Sequence, residues 1–354
     1  MIRRPRSAAV AGGLFLLSGC VAVGLYGGES RADEPLGPDT GVTRWVDPQA
    51  TDPAISAVSA RQKIAGGGAE HLLAFDPSVQ SRGQLLVYLP GSGGTPAASR
   101  KLAEHASSLG YHVASLAYHS WPPIGRLTRG REDQPGLAEA LRRERLYGED
   151  TTGFIEVPRA EAVVYRLVKL LEYAERTAPG VGWGGYLRPA GHAETEPGDA
   201  ASRLRWSVIA VAGHSQGAGH ALMLGRDHGA ERVVMLAGPS DRVGGQPAPW
   251  IAALDDTPLA GRCFQLVHRD DRLTPSALRS AAAAGLDRFG PPADTGAVPE
   301  VAGTTSHRLL TSAPPRRRGG AHGAVATDRQ TPLDDDGRPV LADVWTYLLT
   351  APTR

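Results

Sequence analysis

Short apolar segments alternate along the chain with segments whose apolar residues recur at helical spacing. The apolar segments are five to seven residues long, which suits buried strands better than helices. They predict strands over residues 84–89, 112–118, 207–212, 232–236 and 263–267. Apolar residues spaced three and four apart predict helices over residues 96–109, after Pro158, over 218–224 and over 340–349.

Strands that alternate with helices predict an α/β fold with a mostly parallel central sheet and helices on both faces. The alternation occupies residues 71–354, which we predict to form one domain, preceded by a tether and loosely structured lead-in over residues 20–70. Two long segments interrupt it, at residues 119–157 and 179–205. Segments of this length are usually functional or disordered, and these two flank the third predicted strand. We therefore expect them to form a cap or a pocket wall.

The first residues of the chain have the pattern of an export signal. Three arginines within the first six residues precede a short apolar run. The run ends in Leu17-Ser18-Gly19-Cys20, which resembles the lipobox of bacterial lipoproteins. We therefore predict a signal peptide over residues 1–19, lipidation of Cys20, and a membrane-anchored lipoprotein at the cell envelope. Cleavage after Ala32, which would give a secreted protein, and an uncleaved apolar anchor are the alternatives.

Charge and cysteine content exclude several classes of protein. The 38 basic and 37 acidic residues give a net charge of +1, so no electrostatic footprint for nucleic acid is present. The second cysteine, Cys263, has no partner at zinc-ligand spacing and begins an apolar predicted strand, which is typical of a small core residue. The segment Asp334-Asp335-Asp336-Gly337 lacks the ligand spacing of a calcium loop. We predict no metal and no cofactor.

The strongest local signal is the turn Gly213-His214-Ser215-Gln216-Gly217, which lies between a predicted strand and a predicted helix. A serine on such a sharp turn has a strained backbone, and glycine two residues before and after it removes Cβ atoms that would clash. The N-terminus of the following helix directs N–H groups toward the serine, where they stabilise developing negative charge. The pattern predicts that Ser215 is a nucleophile.

A serine hydroxyl needs a base to take its proton and an acid to orient that base. In the chain order serine, acid, histidine, the acid is expected just after the strand at 263–267, where Asp270 and Asp271 stand. We favour Asp271 and leave Asp270 as the alternative. The base candidates are His307 and His322. We favour His322 because a Gly-rich loop can carry its imidazole over the serine, whereas His307 lies in an apolar segment typical of a packed residue.

An oxyanion hole needs two N–H donors aimed at the developing charge. The backbone of Gln216, directly after the serine, is predicted to supply one of them. The Gly-rich loop Pro90-Gly91-Ser92-Gly93-Gly94 is predicted to supply the other, with Ser92 as the candidate donor. Neither Gly-Lys-Ser/Thr nor G-x-G-x-x-G occurs there, so the loop does not predict nucleotide binding.

Together these motifs resemble the α/β-hydrolase superfamily. The resemblance rests on the Gly-rich oxyanion loop, the serine turn, the Asp-x-Leu-x-Pro turn at Asp271 and the His322 loop, and it covers most of the chain from residue 71 to 349. More narrowly, the chain resembles a branch of exported bacterial hydrolases in Arg143-Glu144-Arg145-Leu146-Tyr147-Gly148, Gly182-Trp183 and His322-Gly323-Ala324-Val325-Ala326-Thr327-Asp328. The resemblance implies the α/β-hydrolase fold and a serine-hydrolase site, but it implies no substrate.

The activity expected from these residues is hydrolysis of a small-molecule carboxylic ester by Ser215, His322 and Asp271 through an acyl-enzyme intermediate. Two other functions are open. One is a non-catalytic, surface-anchored binding protein on the same fold, which would not react with a fluorophosphonate. The other is an amide or peptide hydrolase with the same catalytic residues, which a panel of esters and amides would distinguish.

Overall fold

The fold is built on one large sheet in which a single strand runs against the others. A computed structural model describes residues 42–56, 69–131, 133–189, 197–255, 257–296 and 301–354. Within these residues the sheet has nine strands in the order β1-β2-β4-β3-β5-β6-β9-β11-β10, and β2 is the strand that runs antiparallel to its neighbours. The strands are β1 (Val42–Val46), β2 (His71–Phe75), β3 (Leu85–Leu89), β4 (His112–Ser115), β5 (Ile209–His214), β6 (Arg232–Leu236), β9 (Cys263–His268), β10 (Ala293–Gly296) and β11 (Arg308–Thr311), and a separate hairpin contains β7 (Arg242–Val243) and β8 (Gln246–Pro247).

Helices cover both faces of this sheet. The α-helices of the described residues are α1 (Pro48–Thr51), α2 (Arg100–Ser108), α3 (Ile124–Leu127), α4 (Leu137–Tyr147), α5 (Val163–Thr177), α6 (Gln216–His228), α7 (Pro249–Ala252), α8 (Thr274–Ala283), α9 (Ala321–Ala324) and α10 (Ala342–Thr350). Residues of α5, α6, α7 and α8 pack in one apolar cluster, and those of α2 and α10 pack in a second. The predicted α/β architecture with a mostly parallel, doubly covered sheet is confirmed.

The central strands explain why the sequence shows continuous apolar runs rather than alternation. In β3, every residue is fully buried, and successive side chains enter the two clusters in turn. Because both faces of the strand are covered, both sets of side chains must be apolar. The side chains of β5 alternate in the same way: Ile209 and Val211 enter the first cluster, and Ala210 and Ala212 enter the second.

The lead-in before residue 71 is more structured than the sequence indicates. Strand β1 pairs antiparallel with β2 along its whole length, from Val42 opposite Phe75 to Val46 opposite His71. Asp47 then caps α1 by accepting the N–H of Gln49 at 3.0 Å. The prediction of a loosely structured segment is wrong for residues 42–56, because partners distant in the sequence order a segment whose own periodicity is weak. The predicted signal peptide at 1–19 and Cys20 lie outside the described residues.

The two interruptions lie at different ends of the sheet. The first, residues 119–157, contains α3 and α4 and follows the carboxyl end of β4. In the second, the Tyr186 hydroxyl contacts Nδ1 of His112 at 2.9 Å, at the start of β4. The chain must return to the amino end of the sheet before it enters the parallel strand β5. The described part of residues 179–205 therefore approaches the end of the sheet opposite Ser215, so the cap or pocket wall expected of this segment does not lie at the serine.

No helix among the described residues combines the length and the apolar character needed to cross a bilayer.

Cys263 is buried at the start of β9, as its apolar surroundings predict, and burial raises the pKa of its thiol. This thiol therefore stays protonated and packs as a small apolar group.

Candidate active site

Ser215 forms the sharp turn between β5 and α6, at the carboxyl edge of the sheet. Its backbone has φ 57° and ψ −114°, a conformation that residues with a side chain rarely adopt. The Ser215 N–H donates to the carbonyl of Leu236 at 2.7 Å and so ties the turn to the end of β6. The strain predicted from the motif is present, and the surrounding structure holds it in place.

The two motif glycines are required by close backbone contacts. A Cβ atom on Gly213 would lie 2.1 Å from the carbonyl oxygen of Gly217, and one on Gly217 would lie 2.0 Å from that of Leu89. Both distances are far shorter than any contact a carbon atom can make. Glycine at these positions therefore lets α6 start directly above the end of β3 and β5.

The structure brings the three predicted catalytic side chains into one hydrogen-bonded row. The Ser215 hydroxyl lies 2.8 Å from Nε2 of His322, and Nδ1 of the same ring lies 2.7 Å from Oδ2 of Asp271. When Nδ1–H donates to the carboxylate, Nε2 keeps its lone pair and can accept a hydrogen bond from the Ser215 hydroxyl. These contacts join residues that are 107 and 51 positions apart in the chain.

Of the two candidate acids, Asp271 is the one that reaches the imidazole. Its side chain is 3% exposed, and Oδ1 also accepts the N–H of Leu273 at 3.1 Å. Burial acts to raise the pKa of Asp271, but the hydrogen bond and charge of His322 outweigh it and lower the pKa below its usual value. The carboxylate is therefore ionised at neutral pH. Asp270, one residue earlier, is exposed at the surface.

Of the two candidate bases, His307 is a core residue. Its ring stacks between Phe264 and Phe289, with centroid separations of 4.3 Å and 3.9 Å, and Nδ1 contacts the carbonyl of Cys263 at 2.9 Å. Burial lowers the pKa of His307 to about 4, so the ring is neutral at physiological pH. The side chain of His322, in contrast, is 35% exposed, so solvent reaches it.

The Gly-rich loop after β3 lies directly beside the nucleophile. A Cβ atom on Gly91 would lie 3.2 Å from the Cβ of Ser215, so the loop backbone approaches the serine closely. The N–H of Gly93 is already used, since it donates to the Ser120 hydroxyl at 3.0 Å. Among the described residues, the N–H groups of Ser92 and Gln216 have no acceptor. These two donors are the predicted pair, and their role in stabilising an oxyanion stays a prediction.

The side chain of Gln216 connects the Gly-rich loop to the segment after β4, a role that the sequence motif does not predict. Its Oε1 accepts from the Ser92 hydroxyl and from the N–H of Ile124, both at 3.0 Å, and its Nε2 donates to the carbonyl of Ser120 at 3.0 Å. The amide thus fixes the Gly-rich loop and the segment after β4 relative to the nucleophile. The motif marks position 216 only as any residue, so no local signal reveals this function.

A buried arginine supports the nucleophile turn from the other side. Arg142 on α4 donates two hydrogen bonds of 2.7 Å to the carboxylate of Asp241 and a third, of 2.8 Å, to the backbone carbonyl of Gln216. Its side chain is 2% exposed. A Cβ atom on Gly219 would lie 2.3 Å from the guanidinium carbon, so the next glycine of α6 makes room for this group. No neighbour in the sequence marks Arg142 as a buried residue, because its partner Asp241 lies 99 positions away.

The segment after β4, residues 116–123, is called the β4 loop here. Three contacts hold its polar groups in place. The hydroxyl of Tyr118 donates to the carbonyl of Pro90 at 2.6 Å, and His119 contacts Glu161 at 3.0 Å. Arg166 donates to the carbonyl of Ala117 at 3.2 Å. The Tyr118 contact therefore ties the β4 loop to the Gly-rich loop after β3.

Within the described residues, no group of three or more histidine, cysteine, aspartate or glutamate side chains is placed to hold a metal ion. The site brings together the hydrogen-bonded Ser215, His322 and Asp271 and the N–H groups of Ser92 and Gln216, for which the described residues provide no acceptor. A scan against protein-family models finds no match to this chain, and a search of curated proteins finds none either. The assignment of a function therefore depends on the geometry of the site.

Proposed function

We propose that the protein is a serine hydrolase of the α/β-hydrolase superfamily that cleaves carboxylic esters. The observation that carries the proposal is the row of Ser215, His322 and Asp271, with contacts of 2.8 Å and 2.7 Å, built on a strained turn between a strand and a helix. The chain order serine, acid, histidine and the donor loop that follows β3 support the superfamily.

The proposed reaction starts with attack of the Ser215 oxygen on the acyl carbonyl carbon, while its proton passes to Nε2 of His322. The carbonyl electrons move onto the oxygen, where the N–H groups of Ser92 and Gln216 stabilise the negative charge. The imidazolium donates through Nδ1 to Asp271, which keeps the ring in the required orientation. His322 then returns the proton to the leaving alkoxide as the acyl–oxygen bond breaks, and an alcohol departs.

Release of the acyl group repeats these steps with water. Nε2 of His322 takes a proton from water, the hydroxide oxygen attacks the ester carbon of the acylated Ser215, and a second tetrahedral intermediate forms. Its collapse breaks the bond to the serine oxygen, which recovers a proton from the imidazolium, and a carboxylic acid leaves. Each proton transfer uses the same imidazole nitrogen, so the row of three side chains suffices for the whole cycle.

Hydrolysis of nitrophenyl esters of short and long acids, together with labelling by a fluorophosphonate, tests the proposal. We expect the wild-type protein to hydrolyse at least one of these esters and to be labelled. Ser215→Ala should lose both properties, with kcat reduced by at least about 10⁴-fold, because no other group supplies the nucleophile. Ser108→Ala, which removes an exposed hydroxyl at the end of α2, serves as the matched control and should keep full activity.

Three results contradict the proposal in different ways. Undiminished hydrolysis by folded Ser215→Ala would exclude the serine as nucleophile. A wild-type protein that is neither labelled nor active would favour the non-catalytic binding protein. Labelling combined with faster cleavage of aminoacyl amides than of any ester would retain the serine chemistry and replace the ester substrate by an amide.

We further propose that the protein is exported and anchored to a membrane of the cell envelope through lipid on Cys20. The support is the basic, apolar and Leu-Ser-Gly-Cys pattern of the first twenty residues. Expression of the full chain in a bacterial host with a radiolabelled fatty acid tests this: the wild type should carry label in the membrane fraction, and Cys20→Ala should not. Label-free wild-type protein in the culture medium would favour cleavage after Ala32 instead.

A further inference from the structure

His214 occupies the variable position just before the nucleophile, and its side chain enters the base side of the site. The residue ends β5, where even-numbered side chains point to the cluster that contains α10. Its ring is buried, and Nε2 lies 2.8 Å from the backbone carbonyl oxygen of His322. The two imidazole centroids are 4.9 Å apart. His214 therefore contacts the main chain of His322, and the side chain of His322 is the proposed base.

The hydrogen bond defines the tautomer of His214. A carbonyl oxygen only accepts, so Nε2 must carry the hydrogen and donate it. Burial, and to a smaller extent the nearby charge of His322, lower the pKa of His214 to about 4. The ring is therefore neutral, with Nε2–H toward His322 and an unprotonated Nδ1 toward the Gly-rich loop, where a Cβ atom on Gly91 would lie 3.0 Å away.

The carbonyl of His322 depends on this donor because the local helix is too short to supply one. Helix α9 has four residues, and the N–H of Ala326, which a longer helix would direct to residue 322, bonds instead to the carbonyl of Gly323 at 3.1 Å. The N–H of Thr327 bonds to the same oxygen at 2.7 Å. Among the described residues, the acceptor at His322 is satisfied by His214 and by no backbone N–H.

The surrounding backbone offers little rigidity of its own. Residues 319 and 320 are both glycine, and Gly319 has φ +75°, so the chain entering α9 takes its conformation from contacts with the rest of the molecule and not from restraints of its own residues. The side chain of His322 makes two hydrogen bonds, to Ser215 and Asp271; in the proposed reaction the first is broken, and the second persists while the ring gains and loses its charge. The His214 contact involves the main chain and does not change in any step.

We propose that His214 is a positioning residue, which holds the main chain of His322 so that the imidazole stays aligned between Ser215 and Asp271 throughout turnover. The inference rests on the proposed function and adds a fourth residue to the row of Ser215, His322 and Asp271. Loss of the donor leaves a carbonyl without a partner and allows the imidazole to shift, and displacements of about 1 Å can reduce a rate by about 10²-fold. Substrate binding should change little, because His214 is buried behind the base.

Substitutions of His214 that retain or remove the donor test the inference. His214→Gln can place an amide N–H near the position of Nε2, whereas His214→Met has similar length and no donor. We expect Met to lower kcat by about 10-fold to 100-fold with KM within about twofold of wild type, and Gln to restore kcat to within about threefold. The rate of fluorophosphonate labelling should follow kcat. If the Met variant does not fold, His214→Asn, whose amide is too short to reach the carbonyl, takes its place.

His112 provides a matched control at the opposite end of the sheet. It is also buried, and its Nε2 contacts the carbonyl of Val181 at 3.0 Å. His112→Met and His112→Gln should each lower the free energy of unfolding, Met by more than Gln, and neither should change kcat of the folded protein. The two His112 variants therefore show what the loss of a buried hydrogen bond does to stability when the alignment of His322 is not affected.

The possible outcomes distinguish this inference from the proposed function. If the wild type is active and the folded donor-free variant has the same kcat, or if Gln is as slow as Met, His214 has no positioning role and the serine-hydrolase proposal stands. A change confined to KM would also overturn the inference. If the wild-type protein is neither active nor labelled, the proposed function fails, and the role of His214 fails with it.

Discussion

The two sides of Ser215 are held by very different means. The oxyanion side comprises the Gly-rich loop, the β4 loop and Gln216, and buried groups such as Arg142 and Arg166 secure its polar atoms. The base side comprises Asp271 and the Gly-rich segment over residues 316–328, called the histidine loop here. Its contacts with the rest of the molecule are made largely by main-chain atoms, such as the N–H of Asp328 with the carbonyl of Ala98 and the carbonyl of Val325 with the Trp345 indole, and its imidazole contacts Asp271.

The difference corresponds to what each side does in the proposed mechanism. N–H donors stabilise a developing oxyanion best when they are already in place and need no reorganisation. A general base instead accepts a proton from one partner and delivers it to another, so its ring must be aligned but not locked. We infer that damage to the oxyanion side lowers stability as well as rate, whereas damage to the base side mainly lowers the rate.

The largest effect is expected from Asp271→Asn on the base side. An amide at this position no longer selects the tautomer with hydrogen on Nδ1, so Nε2 of His322 loses its lone pair toward Ser215, and kcat should fall by about 10⁴-fold. The nitrophenyl ester assay measures this loss. Asp270→Asn, at the exposed neighbouring position, is the control and should stay within about twofold of wild type. Equal losses from both substitutions would reassign the acid.

A large effect on stability is expected from Arg142→Met on the oxyanion side. The substitution leaves the carboxylate of Asp241 buried without its partner, and breaking such a pair costs about 3–5 kcal/mol. Urea unfolding measures this change. Arg143→Met is the control, since that side chain is 36% exposed and its ion pairs with Glu149 and Asp227 should contribute about 1 kcal/mol or less. Similar losses from both would mean that the buried pair does not support the turn.

The parts of the site that the sequence predicts well are those fixed by local sterics. Gly213 and Gly217 are required by main-chain contacts within a few residues or with the adjacent strand, so the motif itself specifies the turn. The same is true of β3 and β5, whose continuous apolar residues reflect burial on both faces. Choosing His322 over His307 was possible because their sequence contexts differ, one rich in glycine and the other apolar.

The parts that the sequence does not reveal depend on partners far along the chain. Arg142 and Asp241 are 99 residues apart, and neither has a neighbour that marks it as buried. His214 acts on a main-chain carbonyl 108 residues away, and every residue type has such a carbonyl. Strand β1 was missed for the same reason, because its order comes from pairing with β2 and not from its own pattern.

A smaller effect, and a dependence on pH, is expected from Glu161→Gln beneath the β4 loop. Burial acts to raise the pKa of Glu161, but hydrogen bonds from His119 and Ser56 and the charge of Arg166 lower it to about 2. A carboxyl with a depressed pKa stabilises the folded state above its unfolded pKa, and this contribution is lost as the pH falls toward 2. The variant should therefore be less stable by about 1–3 kcal/mol at pH 6 and nearly equal to wild type near pH 2.

Urea unfolding at pH 6 and pH 3 measures the change in this difference. Glu104→Gln is the control, because Glu104 pairs with Arg100 on an exposed turn of α2, where such a pair contributes less than about 0.5 kcal/mol. A Glu161→Gln difference that stays constant across this range would mean that the ionised carboxylate does not hold the β4 loop.

The smallest effect, with the opposite sign, is expected from Asp328→Asn in the histidine loop. Burial raises the pKa of Asp328 and outweighs the hydrogen bond from the N–H of Lys101, which lies 3.1 Å from Oδ1. A carboxyl with a raised pKa is most compatible with the folded state when protonated, so wild-type stability relative to the variant should increase on acidification from pH 6 to pH 4. Asparagine keeps an acceptor oxygen for Lys101, so the two proteins should differ by less than about 1 kcal/mol at pH 6. Thermal unfolding at both pH values measures the trend. A slope with the same sign as that of Glu161→Gln would mean that the folded state favours the ionised form of Asp328, and not its protonated form.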